Sequence, residues 1–104
     1  MKPSTPVEII REHLSREDML LQLAEEAAEL AQAALKLVRA CTQTNPTPKT
    51  EQEAYEGLLE EVADGYVCLD VLGYDRSMSR MRTKIIAREK VERWARRLEE
   101  KYGN

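Results

Sequence analysis

The residues best able to do chemistry in this 104-residue chain are acids standing where apolar side chains belong. Glu61 and Asp64 are one helical turn apart, and at 100° per residue they share a sector with Ala54, Leu58, Gly65, Cys68, Val71 and Leu72. Glu26 and Glu29 repeat that spacing on an earlier segment, with Glu26 in line with Met19, Leu30 and Leu37. Ala33, a turn beyond Glu29, is small enough to leave room, whereas Glu25 points toward the outer side. Carboxylates among apolar neighbours are costly unless neutralised. Antiparallel packing of the two segments would gather all four, and gathered carboxylates repel, which raises their pKa values or demands cations between them. An all-oxygen donor set selects Mg²⁺, Mn²⁺ or Ca²⁺. No His or Cys accompanies the acids, so zinc is not expected. A single E-x-x-E is most often a solvated face; two pairs on facing helices weigh against that plainer reading.

The elements that must carry these acids are helices. Thr5-Pro6-Val7-Glu8 reads as an N-cap, a first-turn Pro and a capping Glu, which predicts a short helix over about 6–14. Ser15 caps the next, with Glu17 and Asp18 at its positive end. From Arg16 to about Cys41 there is no Gly or Pro, and Leu20, Leu23, Ala27, Leu30, Ala31, Ala34 and Val38 recur as an apolar face. Thr42 to Lys49, with Pro46 and Pro48, is a loop. Thr50-Glu51-Gln52-Glu53 is a second capping box, opening a helix to about Leu72 that Gly73 can close. Val62 to Leu72 is apolar around most of its circumference, as expected of a helix central in its bundle. A turn at Tyr74 to Arg76 leads to a last helix over about 77–101, ending at Gly103.

The expected fold is therefore all-α: one domain over 1–104, with three long helices and a short N-terminal one in a bundle. Its apolar faces exceed what a chain of this length covers, which predicts a homodimer or homotetramer. With 42% hydrophobic and 34% charged residues the chain is globular rather than disordered. A net charge of −3 gives no reason to expect nucleic acid or an anionic membrane as a partner. No apolar run is long enough to span a bilayer, and Met1 to Pro6 lacks a signal-peptide core. Cys41 and Cys68 make a poor disulfide framework, so reduced thiols and a cytoplasmic setting are expected. Cys68 reads as a small hydrophobe, His13 as a surface or packing residue, and Tyr55, Tyr66 and Trp94 as core or interface anchors.

Leu23-Ala24-Glu25-Glu26-Ala27-Ala28-Glu29-Leu30 followed by Glu60-Glu61-Val62-Ala63-Asp64 resembles the signature of MazG-like all-α nucleoside triphosphate pyrophosphohydrolases. The resemblance runs from about Met19 to Leu98 and includes Glu89-Lys90-Val91-Glu92-Arg93-Trp94 in the last helix. It implies a helical oligomer and Mg²⁺-dependent cleavage of a nucleoside triphosphate to the monophosphate and pyrophosphate. It also implies Glu26, Glu29, Glu61 and Asp64 as metal ligands, and Lys90, Arg93 and Arg97 as contacts to the substrate's phosphates. The interval from Glu29 to Glu61 is longer than usual for that family, and the Pro-containing loop accounts for the excess at little free-energy cost. Glu25 or Glu29 is the expected base toward water. Two other readings compete. One is the related phosphoribosyl-ATP pyrophosphatase, whose helix connection is usually shorter and which lacks the long basic last helix. The other is a non-catalytic helical module whose basic segment Met81 to Arg88 meets an acidic partner.

Overall fold

Three capping boxes start three of the helices. In each, the side-chain oxygen of the cap accepts from the backbone N–H three residues on, while the acid at that position accepts from the cap's own N–H: Thr5 with Glu8, Ser15 with Asp18, and Thr50 with Glu53. In the computed structural model, which describes residues 2–74 and 76–103, they open α1 (Pro6–His13), α2 (Arg16–Thr42) and α3 (Glu51–Val71). The fourth helix, α4 (Ser77–Tyr102), starts at Arg76 with no side-chain cap. No strand occurs among the described residues. Asp75, within the expected 74–76 turn, lies outside them.

Helix ends follow equally local rules. Gly73 (φ +86°) and Gly103 (φ +81°) adopt left-handed conformations beyond α3 and α4, where a side chain would be strained. Gln43 ends α2 in the same region (φ 54°), its N–H bonded to the Arg39 carbonyl.

The chain divides into two compact units, one ending at Leu72 and the other beginning at Gly73. In the first, α2 and α3 pair along most of their length and α1 packs on α3. Arg11 ties α1 to the end of α3, donating from Nε to the Val71 carbonyl and from Nη2 to the Asp70 carbonyl, both at 2.8 Å. Those carbonyls belong to the last turn of α3, where a cation is favoured. The second unit is built on α4, which buries none of its residues.

The α2 residues turned toward α3 are Met19, Leu23, Glu26, Leu30, Ala33, Leu37 and Ala40, all buried or half-buried. Their alternating four- and three-residue steps are those of a coiled-coil seam. This corrects the face expected from the sequence, since Leu20, Ala27, Ala31, Ala34 and Val38 are exposed. Apolar side chains cover more than half of α2's circumference, and one neighbouring helix covers only the seam. Likewise α3 is not enclosed: Ala54, Cys68 and Val71 are buried, yet Leu59, Tyr66 and Val67 face solvent. Tyr55, Tyr66 and Trp94 are exposed rather than core residues of the single chain.

Removing the Thr50 hydroxyl with Thr50→Ala takes the partner from the Glu53 N–H and weakens the start of α3. It should cost about 1 kcal/mol in urea unfolding. A loss below a few tenths of a kcal/mol would mean the box does not anchor the helix.

Candidate metal centre

Two seam positions carry acids. Glu26 on α2 and Glu61 on α3 each occupy a slot that their neighbours fill with Leu, Ala, Gly or Cys, and both are half-buried. Glu29 joins them from the next turn of α2. One oxygen from each of Glu26, Glu29 and Glu61 lies within 4.8 Å of the other two. Asp64, exposed one turn along α3 from Glu61, is close enough for its charge to act on both Glu26 and Glu61. The antiparallel pairing of α2 and α3 thus gathers the four acids, three of them into one tight group.

Their protonation reflects this setting. Burial is the main cause that pushes the Glu26 carboxyl above the usual carboxylate range; a hydrogen bond from Gln22 opposes it, and repulsion from Glu29 and Asp64 adds to it. Glu61 is raised first by burial, then by the charges of Glu29, Asp64 and Glu26. Gln22 Nε2 donates to Glu26 Oε1 at 2.9 Å, while Glu26 Oε2 and Glu61 Oε2 are shut off from solvent with no hydrogen-bond donor among the described residues. Shielded, unpartnered carboxylate oxygens are expensive. Two ways to satisfy them are a shared proton or a hard cation, and the all-oxygen donor set suits Mg²⁺ or Mn²⁺. Cys68, buried nearby, has its thiol pushed up by burial and by the charges of Glu26 and Asp64.

Beside the acids a cavity of about 370 Å³ opens between α2 and α3. Ala33, Ala54 and Gly57 leave its space; Glu29, Glu60 and Glu61 line it with Gln32, and two cations, Lys36 and Lys49, complete the wall. Neither lysine stands out from the acidic motif. Lys36 follows Glu29 by two turns on the same face, a relation the helical period does contain. Lys49 reaches the wall because the loop ends there, one residue before the Thr50 cap, and its charge helps hold Glu53 below the usual range, after the Thr50 hydrogen bonds.

The other expected site residues are not among the three grouped carboxylates. Glu25 is exposed and outside the three-carboxylate group. Lys90, Arg93 and Arg97 are exposed on α4, in the second unit, where Arg93 borders a shallow hollow with Glu89, Glu92 and Arg96. No family model, no curated protein and no solved structure matches this chain.

A group whose pKa is raised on folding binds its proton more tightly in the folded chain. The stability this contributes is present at low pH and lost as pH rises through the raised folded value. Metal-free protein should therefore melt higher as pH is lowered from neutral toward the ordinary glutamate range. Glu53, held low, acts in the opposite sense but below that range. Glu61→Gln should raise the melting temperature in EDTA and reduce this dependence, leaving the part that Glu26 contributes. A flat profile in wild type would show that the acids do not strain the fold.

Proposed function

We propose that the chain is a Mg²⁺-dependent nucleoside triphosphate pyrophosphohydrolase, cleaving an NTP or dNTP to the monophosphate and pyrophosphate. The observation that carries this reading is the convergence of Glu26, Glu29 and Glu61 oxygens within 4.8 Å, from two facing helices, at the edge of a cavity that also holds lysines. The paired acidic motif that resembles the MazG-like family supplies the reaction class.

In this reading Glu26, Glu29, Glu61 and Asp64 hold the cation. Bound there, a divalent ion neutralises charge on the phosphate oxygens and on the departing pyrophosphate. The chain's own groups do the rest. Glu29, exposed on the cavity wall, accepts a proton from the attacking water, whose oxygen bonds to the α-phosphorus as the bond from that phosphorus to the bridging oxygen breaks. Glu25 lies further from that wall and is the weaker base candidate. Lys90, Arg93 and Arg97 remain proposed phosphate contacts.

The uncovered apolar faces of α2 and α3 support a homodimer or homotetramer, in which these helices form the core of a larger bundle. Leu21, Leu35 and Val38 on α2 and Leu59 and Tyr66 on α3 are all more than two-fifths exposed in the single chain. Singly exposed apolar residues are ordinary, but a continuous patch marks an interface. A binding module built on α4 is a second reading, favoured by the exposure of Met81, Ile85 and Trp94.

Purified protein with Mg²⁺ or Mn²⁺ should release pyrophosphate, not orthophosphate, from one or more of a panel of canonical and modified triphosphates. Glu26→Gln and Glu61→Gln should each lose more than the roughly 10–100-fold that a supporting residue costs a metal site. Orthophosphate release, or activity on phosphoribosyl-ATP alone, would overturn the assignment. Thermal melting separates the binding module. At about 100 times its Kd a bound cation adds about 2.7 kcal/mol, and a module without the centre gains nothing. Light scattering that reports a monomer would remove the oligomer.

A further inference from the structure

We propose that the α2–α3 groove takes its ligand in one direction only, the polyphosphate tail over Lys36 and Lys49 and the apolar base in the pocket at the α1 end; this rests on the metal-centre reading. The four acids divide the groove. On the side toward the loop lies the polar cavity with Lys36 and Lys49. On the other side a second pocket of about 270 Å³ is bounded by Ile10 and Leu14 of the α1 region, Met19 and Gln22 of α2, and Val67 and Cys68 of α3.

Both pockets open on the same flank of the hairpin. On α2 the residues Gln22, Glu29, Gln32 and Lys36 form one stripe at helical spacing, and on α3 Gly57, Glu60, Asp64 and Val67 form another. Glu26 and Asp64 link the two ends, since both act electrostatically on Cys68 in the apolar pocket while Glu26 also accepts from Gln22 at its rim. From Gln22 to Lys36 the α-helical rise spans about 21 Å, the scale of an extended nucleoside triphosphate with the cation near its middle.

The ends differ in what they can bind. The loop end offers two cations and an amide beside acids that only a metal-bound polyanion could approach, and its floor is Ala33, Ala54 and Gly57. A Cβ built at Gly57 meets nothing within 4 Å, so that glycine sits beside open space. The α1 end offers apolar walls and a single amide, Gln22, the mixture typical of a pocket for a flat, partly polar group. A triphosphate in the reverse direction would bury its charge against Ile10, Leu14, Met19 and Val67, at the cost of desolvating anions without a counter-charge.

Calorimetric titration with inorganic tripolyphosphate, with and without Mg²⁺, and with α,β-imido dNTPs tests the direction. Lys36→Gln with Lys49→Gln should weaken both probes at least tenfold, and the paired Arg replacements should restore them. Val67→Trp, at a half-exposed wall position, should weaken the imido dNTPs at least tenfold and leave tripolyphosphate within twofold; Leu14→Trp serves as a second plug. Unchanged tripolyphosphate affinity in the Gln pair, or plugs that weaken both probes alike or neither, would overturn the direction. So would a wild type that binds no tripolyphosphate in either buffer. Mn²⁺ binding followed by electron paramagnetic resonance isolates the underlying reading: its absence refutes the metal centre, while its retention alongside failed lysine or plug effects refutes the direction alone.

Discussion

The seam between α2 and α3 contains two carboxylates, and the rest of the first unit is arranged around that conflict. Every other residue in the α2 seam is apolar, so Glu26 is there at the expense of burial that a Leu would provide. Glu61 does the same on α3, and each has one oxygen removed from water without a donor to replace it. A helical hairpin selected only for stability would place apolar side chains at both points. The acids are tolerable as long as something else, a proton or a cation, meets the shielded oxygens. A structural salt bridge would be the usual remedy; the two cations of the cavity wall, Lys36 and Lys49, line the adjoining space without supplying a donor to either oxygen.

Secondary structure was legible because its signals are local. The pairs Thr5/Glu8 and Thr50/Glu53 mark helix starts by side-chain chemistry alone, and Gly73 and Gly103 mark the ends by conformation alone. The acidic pairs were legible for the same reason: one turn of spacing places Glu26 with Glu29 and Glu61 with Asp64 on a helix face. Ala33 and Cys68 also behave as their size and type suggest, both buried.

What the sequence concealed depends on which neighbour covers which face. Periodicity singled out Leu20, Leu23, Ala27, Leu30, Ala31, Ala34 and Val38; of these only Leu23 and Leu30 lie in the seam, which is centred nearly a quarter of a turn away and adds Met19 and Leu37. When apolar residues occupy more than half a helix, the pattern gives the width of the apolar arc but not the seam within it. Lys49 was hidden for another reason. Its place on the cavity wall is set by the path of the Pro46 and Pro48 loop, which no period describes. The acid–acid distances were concealed too, since they depend on the approach of two backbones and not on spacing within either.

Small side chains occupy part of that seam. Interaxial distance between packed helices varies with the residues at the contact, over roughly 8–10 Å. Here Ala33 and Ala54 lie toward the loop and Gly65 and Cys68 toward the α1 end, all buried or half-buried, while Leu23, Leu30 and Leu58 are the seam residues next to Glu26 and Glu61. Larger residues at Ala33 and Ala54 would fill the cavity that Glu29 and Glu61 line. The same smallness thins the core: its buried apolar members are Ala33, Ala40, Ala54, Cys68 and Val71, and none is a large side chain. Little apolar area is therefore removed from water within the hairpin itself, while Leu21, Leu35, Val38 and Tyr66 stay outside. A second copy packed on those faces is the proposed source of the missing burial.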